Sequence, residues 1–326
     1  TTWVQFIKGL LLLIAGVALV IGVLVVAGYE PLNFINYFIQ NGSVSPKTGL
    51  PQFTGEEYMS PGTKYEDPWD FASLMLALIL GTAALPHILI RYYTVPKPSD
   101  ARKSTVVAII CIGIFYILTL FIGLGTNYFA GQGEFIVNDS NLSAPTLAYF
   151  IGGETFFAVI SSIAFATILG TVSGLIMAAA GAIAHDIYSE ILGKKKSEKS
   201  ALRVSKLTAV GVGVVAILLG IAMEGENVAY LVGLAFAIAA SANIPALIGV
   251  LFWKRATEWG IISSIAVGLS SSLLLILISP TFMPTNYIFP LTNPGIVSIA
   301  LGFLTMIVVS LLTQKWGVKA TKPAQA

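Results

Sequence analysis

Long apolar runs alternate with short polar segments along the whole chain. Eight runs approach or exceed the length of about 20 residues that crosses a bilayer as a helix. They cover residues 4–27, 70–90, 104–129, 155–184, 204–223, 228–252, 260–279 and 295–313. A soluble helical protein would show amphipathic stripes with charges every turn or two, whereas the run 155–184 has no charged residue. The pattern predicts an all-α integral membrane protein with eight transmembrane helices.

The composition supports a lipid-embedded chain. The 326 residues are 56% hydrophobic and only 10% charged, against a usual charged share of about 25%. This excludes a nucleic-acid binder and a disordered chain, both of which need many more polar or charged residues. The single Cys111 cannot form an internal disulfide, which excludes a secreted disulfide scaffold.

Basic residues are concentrated in alternate connections between the runs. Sixteen of the 18 Lys and Arg residues, Lys8 among them, fall on one set of connections, and only Lys47 and Lys64 fall on the other. Cytoplasmic loops collect Lys and Arg. We therefore expect a multi-pass protein of the cytoplasmic membrane, with both ends of this chain in the cytoplasm. The Pro- and Gly-rich segment 29–68 would lie outside, with a short interfacial helix at 31–40.

Side chains that could catalyse a reaction are scarce. Few ionisable groups fall within the apolar runs; His87 is one of them, and His185 is the only other histidine. Membrane enzymes need clustered His, Asp or Glu for metal binding or acid–base work. The sequence therefore predicts neither an enzyme nor a bound cofactor. What remains is backbone groups and hydroxyls, the binding groups of secondary transporters.

The second run is interrupted near its end by Gly81, Thr82, Ala83, Pro86 and His87. Pro86 has no backbone N–H, so the carbonyl four residues earlier loses its helical partner. Free N–H groups at the start of the following half-helix would favour a carboxylate substrate. The alternative is an ordinary proline kink, and His87 is either a substrate or proton contact or a packed side chain.

The fourth run has small residues at spacings of three and four. Thr167 and Thr171 place two hydroxyls on this stripe, one turn apart, and hard oxygen ligands suit sodium. The alternative is a close-packing face, which Gly170-x-x-x-Gly174 fits well.

The sixth run contains Pro245, which frees the carbonyl of Ser241. A kink or gate is expected there, with Asn243 as a candidate substrate contact.

Several motifs, in order, resemble the sodium:solute symporter family. They are Thr1-Thr2-Trp3-Val4-Gln5 with Lys8, Gly81 to Leu89 with Arg91 and Thr94-Val95-Pro96, Phe165 to Leu169, His185-Asp186-Ile187-Tyr188, Arg203-Val204-Ser205-Lys206, Gly233 to Ser241, and Trp253-Lys254-Arg255. The resemblance covers nearly the whole chain and is greatest to the acetate and short-chain monocarboxylate permease branch.

The resemblance implies thirteen helices with a leucine-transporter-type inverted repeat of five plus five. This chain would then hold helices six to thirteen. Residues 1–28 would be the last helix of the first repeat and 29–68 an extracellular loop. Residues 69–252 would be the second repeat, and 253–326 two trailing helices with a short cytoplasmic tail. The first five helices, a required partner, would lie upstream of Thr1.

The resemblance also implies binding sites. Sodium would bind between an upstream helix and the ninth helix, at Thr167, Gly170 and Thr171, where sodium-coupled members have a carbonyl followed by two hydroxyls. Gly170 departs from this pattern and removes one ligand, which leaves proton coupling open. The segment from Gly81 to His87 matches the substrate-contacting seventh helix.

The sequence therefore predicts a symporter that couples inward sodium or proton flow to uptake of a small monocarboxylate such as acetate, pyruvate or propionate. One alternative is a symporter of the same fold for proline or another amino acid. Another is a symporter-like membrane sensor.

Overall fold

A computed structural model describes residues 2–63, 65, 67–92, 95–191 and 198–314. The tail predicted after residue 314, together with Lys64, lies outside these residues. The chain divides into two compact units: Thr1–Ser60 with Lys97–Glu226, and Pro61–Pro96 with Asn227–Ala326.

The first unit is built around three long helices, α1 (Thr2–Ala27), α6 (Pro98–Gly131) and α7 (Ser143–Gly181). Helix α1 packs against both α6 and α7. Close approach depends on small residues: a Cβ on Gly125 of α6 would lie 2.8 Å from the side chain of Val23. Residues Ala182–Ile191 continue α7 as a π-helix, and α8 (Glu198–Ala222) packs against α7.

The predicted extracellular segment is ordered by aromatic packing. It contains α2 (Pro31–Asn41), the antiparallel strands β1 (Ser43–Val44) and β2 (Pro51–Phe53), and the short α3 (Gly55–Met59). Phe34 and Phe38 of α2 are buried and pack edge-to-face on each other, and Phe34 also packs on Tyr128. The helix expected at 31–40 is therefore present, whereas the pattern of apolar runs does not predict the two strands.

A single side chain ties the strand pair to α6. Asn127 accepts a hydrogen bond from the Val44 N–H at 3.1 Å and donates one to the Val44 carbonyl at 2.6 Å. A side-chain amide can complete both backbone bonds in this way because it carries both a donor and an acceptor.

The start of α3 is fixed by a capping box. The Glu57 carboxylate accepts the Thr54 N–H at 2.9 Å, and the Thr54 hydroxyl accepts the Glu57 N–H at 3.4 Å. The bonds from the Thr54 N–H and hydroxyl favour the charged carboxylate, so the pKa of Glu57 lies below its ordinary value.

Helix α7 is broken where the sequence gives no transmembrane run. Gly152 and Gly153 leave helical geometry, and Gly153 has φ +64°, which favours glycine. Residues 143–151 therefore form a separate helical segment before the predicted run 155–184. The adjacent Gly-Gly pair is the sequence feature that marks this break.

The second unit is a helical bundle of α4 (Pro68–Ala84), α5 (Pro86–Tyr92), α9 (Val228–Phe252), α10 (Glu258–Leu277) and α11 (Gly295–Thr313). Helix α9 packs against α4, α10 and α11. Glycines allow this close packing: a Cβ on Gly268 of α10 would overlap the Ser241 carbonyl oxygen and lie 2.6 Å from its carbonyl carbon.

Asp70 anchors the loop before α11 to the start of α4. Its carboxylate is buried and accepts the Thr292 hydroxyl at 2.6 Å and the Asn293 N–H at 3.0 Å. The Asn293 amide in turn donates to the Gly233 carbonyl at 3.2 Å. This network links α4, α9 and the entrance to α11.

Seven helices among the described residues are long and apolar enough to cross a membrane. They correspond to seven of the eight predicted runs. The one remaining predicted run, 70–90, is divided into α4, with 17 residues, and α5, with 7. The chain is thus a mostly helical, multi-pass membrane protein.

Candidate functional site

The second predicted run is broken where the sequence predicts, between helices α4 and α5. Helix α4 stops at Ala84, Leu85 is extended with φ −70° and ψ 117°, and α5 starts at Pro86. The N–H groups of Ile88 and Leu89 bond to the Leu85 carbonyl at 3.0 and 3.2 Å. The Ala84 carbonyl therefore loses the Ile88 N–H that a continuous helix would supply.

Asn243 of α9 supplies the missing partner. Its side-chain amide donates to the Ala84 carbonyl at 3.0 Å. Ala84 is fully buried, so an unpaired carbonyl there would carry the full desolvation cost of a polar group. Asn243 thus holds the break in place. The sequence predicts a substrate contact at Asn243. Its hydrogen bond to the Ala84 carbonyl was not predicted and is seen only in the structure.

Gly81 has a different role from the flexibility that its position before Pro86 suggests. It lies inside α4, buried, and a Cβ there would be 2.5 Å from Phe236 Cβ and 2.6 Å from the Phe236 carbonyl oxygen. Real Cβ atoms essentially never show contacts under 3.0 Å. Gly81 therefore lets α4 lie directly on the backbone of α9, one turn before the break.

The other predicted substrate residues lie around the same break. Thr82, Ala83 and Pro86 are exposed within the second unit, and His87 is half-buried. The Thr82 hydroxyl donates to the Leu78 carbonyl of its own helix. Such a hydroxyl keeps its oxygen lone pairs available as acceptors.

Pro245 lies within α9, which runs through it as one helix. The Ser241 carbonyl, which Pro245 deprives of its helical donor, lies where α10 and α11 cross α9 at Gly268 and Gly302. The Ser241 hydroxyl also contacts the Ser298 hydroxyl at 2.6 Å. Three helices cross closely at this point, and the predicted kink or gate stays a prediction.

The predicted sodium residues belong to the first unit. The Thr167 hydroxyl donates to the Ile163 carbonyl at 2.8 Å, and the Thr171 hydroxyl donates to the Thr167 carbonyl at 3.1 Å. Gly170 lies on the same stripe, where a Cβ would overlap Nζ of Lys8. The sequence analysis counted Lys8 among the basic residues on the cytoplasmic side and did not predict its contact with Gly170.

A cluster of metal-binding side chains is not found within the described ranges: no group of three or more His, Cys, Asp or Glu residues could hold an ion there. The oxygens of the α7 stripe are the Thr167 and Thr171 hydroxyls and backbone carbonyls. Such oxygen ligands suit hard monovalent cations better than transition metals.

Comparison with known proteins identifies two relatives. "Uncharacterized symporter YwcA" of Bacillus subtilis (strain 168) is 44% identical over 315 residues, which are 93% of this chain and 60% of that protein. The "Monocarboxylic acid transporter" of Corynebacterium glutamicum is 41% identical over 321 residues, 93% of this chain and 58% of that protein. The chain thus spans about 60% of the length of these relatives.

The family assignment rests on the length matched. The model of the sodium:solute symporter family matches residues 1–268, most of the chain, and confirms the resemblance carried by the motifs. The family and the names of the relatives indicate a transporter rather than an enzyme. The chain belongs to the sodium:solute symporter family.

Proposed function

We propose that the chain is part of a cation-coupled secondary transporter that imports a small monocarboxylate, such as acetate, pyruvate or propionate, across the cytoplasmic membrane. The single observation that carries this proposal is the α4–α5 break, in which Asn243 holds the Ala84 carbonyl. Irregular backbone at membrane depth is tolerated where it is buried in protein or lines a cavity. A break maintained by a dedicated side chain fits a binding site better than a simple kink.

The residues at the break suit a small anion that has one carboxylate and a short apolar chain. Ala83 and Pro86 offer apolar surface and His87 adds an imidazole, while the Thr82 hydroxyl would donate to a carboxylate after turning away from the Leu78 carbonyl. Gly81 and Asn243 set the geometry behind them. A short monocarboxylate needs hydrogen-bond donors for its one carboxylate and apolar contact for its short chain. The name of the C. glutamicum relative, "Monocarboxylic acid transporter", supports this substrate class.

The cation site of the proposal is the α7 stripe of Thr167, Gly170 and Thr171. The coupling ion of this symporter would be Na+ or, because Gly170 removes one ligand, a proton. We place both ends of this chain in the cytoplasm, as the basic residues predict. Residues 69–252 would form the second repeat of the five-plus-five fold, completed by five helices from outside the chain.

Energetics constrains the mechanism. One monocarboxylate anion carried with one monovalent cation moves no net charge, so the membrane potential contributes nothing to accumulation. A second cation would add about 2.3 kcal/mol per 100 mV, or roughly fiftyfold accumulation at about 1.4 kcal/mol per decade. The dependence of uptake on membrane potential therefore reports the number of coupled cations.

The test is uptake of labelled pyruvate by the complete transporter in proteoliposomes, with sodium and proton gradients imposed separately. We expect saturable accumulation under at least one gradient and competition by acetate and propionate. Competition by proline but not by acetate, or no saturable uptake under either gradient, would refute the monocarboxylate assignment.

A variant pair tests the break itself. Pro86→Ala supplies an N–H for the Thr82 carbonyl and is expected to reduce uptake. Pro98→Ala is the matched control, because Pro98 lies in the first turn of α6, where a missing N–H has no helical partner to lose. Equal uptake by the two variants would mean that the break has no role in transport.

A further inference from the structure

A five-residue turn, from Trp253 to Thr257, joins α9 to α10 and contains two adjacent basic residues. The Trp253 N–H donates to the Gly249 carbonyl at 3.1 Å, and the Ala256 N–H donates to the Trp253 carbonyl at 3.0 Å. Ala256 and Thr257 are buried. The turn is therefore an ordered part of the second unit, with its backbone bonded to the end of α9.

Thr257 ties the turn to α11. Its N–H donates to the Ser310 hydroxyl at 3.3 Å, and its hydroxyl lies 2.7 Å from the Thr313 hydroxyl. The same hydroxyl accepts the Gly260 N–H at 3.2 Å and so caps α10. A Cβ on Gly260 would overlap Ser310 Oγ, so α10 begins directly against the last turn of α11. Three helix ends thus fix the turn and the basic residues in it.

Lys254 and Arg255 lie in the middle of the turn, and both are exposed. Within the described ranges, neither side chain forms an ion pair or a hydrogen bond. The next acid along the chain is the exposed Glu258 in the first turn of α10, where it favours the helix dipole. Helices α9 and α11 contain no acidic residue. The turn therefore presents two positive charges without a counter-charge in the part of the chain that the structure describes.

The lengths of the neighbouring helices place this turn at the edge of the bilayer. Helices α10 and α11 have 20 and 19 residues, which correspond to about 30 and 28 Å at about 1.5 Å per residue. The hydrocarbon core of a bilayer is also about 30 Å thick. A turn at the end of these helices lies where the hydrocarbon gives way to the lipid headgroups.

Large apolar side chains flank the turn on both sides. Leu251 and Phe252, which precede it, are 65% and 78% exposed, and Trp259, which follows it, is 56% exposed. Aromatic rings are enriched at the boundary between hydrocarbon and headgroups, where tryptophan keeps its apolar body in lipid and its N–H near polar groups. The combination of exposed rings and unpaired cations fits a partner that is apolar on one side and anionic on the other.

We propose that the turn from Trp253 to Thr257 binds an anionic phospholipid, with Lys254 and Arg255 on the phosphate and with Phe252 and Trp259 against the acyl chains. A guanidinium matches two phosphate oxygens at once, and an ammonium adds a compact positive charge. The partner is a lipid rather than a free anion, because the exposed rings need an apolar contact that inorganic phosphate lacks. This inference does not depend on the transported solute.

The experiment measures lipid binding by the complete transporter in non-ionic detergent. The protein is titrated with dioleoyl phosphatidylglycerol, which is anionic, or with the zwitterionic dioleoyl phosphatidylcholine, and bound lipid is counted by native mass spectrometry. Each basic residue near an anionic lipid surface contributes about fivefold to binding. We therefore expect Lys254→Gln combined with Arg255→Gln to weaken phosphatidylglycerol binding by up to about 25-fold and to leave phosphatidylcholine binding unchanged.

A second pair of adjacent basic residues provides the matched control. Arg102 and Lys103 of α6 are exposed in the same way, and no aromatic residue lies between Pro98 and Val107. Arg102→Gln combined with Lys103→Gln removes the same charge and is expected to bind phosphatidylglycerol like the wild type. Equal losses in the two double variants would mean that total charge, not this turn, attracts the lipid, and would overturn the proposal.

The apolar side of the site has its own test, which leaves both cations in place. In vesicles of phosphatidylglycerol with brominated acyl chains, tryptophan emission of the wild type should be quenched more than that of Trp259→Phe. Equal quenching of the two proteins would show that Trp259 does not contact lipid and would overturn the proposal.

Three other results would also overturn it. The first is equal affinity of the wild type for the two lipids. The second is displacement of phosphatidylglycerol by an excess of inorganic phosphate, which would identify the ligand as a free anion. The third is a double variant of Lys254 and Arg255 with a lower thermal midpoint but unchanged lipid binding, because the two cations would then pair with another part of the complete transporter.

Discussion

Replacing Asn243 by alanine tests whether the α4–α5 break is held by one side chain. The variant removes the side-chain donor to the Ala84 carbonyl, a bond of 3.0 Å between α9 and the end of α4. The carbonyl cannot recover a helical donor, because the Ile88 N–H is engaged by Leu85. Ala84 is fully buried, so the bond cannot simply be replaced by water.

The magnitude follows from the cost of an unpaired buried carbonyl, about 1–3 kcal/mol. Side-chain hydrogen bonds between membrane helices average about 0.6 and reach about 1.7 kcal/mol, because the unfolded state in the membrane also finds partners. We expect Asn243→Ala to lose about 1–2 kcal/mol, a factor of roughly 5 to 30 in the folding equilibrium. Asn243→Asp should lose at least as much, because a carboxylate faces the carbonyl oxygen without a proton to donate.

The assay is thermal unfolding in detergent, with Ser270→Ala as the control. The Ser270 hydroxyl is exposed and bonds only to carbonyls of its own helix, so its loss should change stability by less than about 0.5 kcal/mol. If Asn243→Ala is as stable as this control, Asn243 does not hold the break and the structural argument for the site fails.

Three further predictions concern packing, a buried carboxylate and a helix cap. Gly268→Ala would drive a methyl group into the Ser241 carbonyl and should lower stability by about 1–3 kcal/mol, whereas Gly213→Ala meets nothing within 4 Å and should be neutral or stabilising; equal thermal midpoints would contradict the three-helix crossing. Asp70→Asn leaves one of the two donors on the loop before α11 facing an NH₂ group, and should lower the thermal midpoint by the equivalent of about 2 kcal/mol. The lowered pKa of Glu57 means that its cap stabilises α3 above the ordinary glutamate range and is lost as pH falls below it; hydrogen exchange of the α3 amides should therefore speed up in acid, and Glu57→Gln should abolish that pH dependence.

The helix positions could be predicted from the sequence because lipid imposes a local rule. Each apolar run must satisfy its own backbone within one helix, so length and hydropathy alone locate α1, α6 and α8 to α11. The α4–α5 break was also predictable, since Pro86 lacks an N–H whatever the rest of the fold does. The segment 143–151 was missed because it is short and is separated from the apolar run 155–184 by the Gly152-Gly153 break.

The roles of particular residues depended on contacts that local sequence does not encode. Gly81 precedes a proline, which suggests a flexible hinge, but its lack of a side chain serves a backbone contact with Phe236, 155 positions away in sequence. Asn243 was a plausible polar contact, and only the packing of α9 on α4 assigns its amide to the Ala84 carbonyl. In both cases the residue type drew attention to the position, but the sequence did not reveal which residue it contacts.

Lys8 illustrates why charge near the end of a run has two explanations. A lysine in the second turn of a membrane helix satisfies the positive-inside rule if its chain extends to the cytoplasmic interface. The same lysine packs against the neighbouring helix if that helix offers a gap at its level. The register set by Gln5 beside Gly174 places that gap at Gly170, between Thr167 and Thr171 in sequence. The place of Lys8 beside Gly170 thus depends on how α1 packs on α7, which the local sequence around Lys8 does not encode.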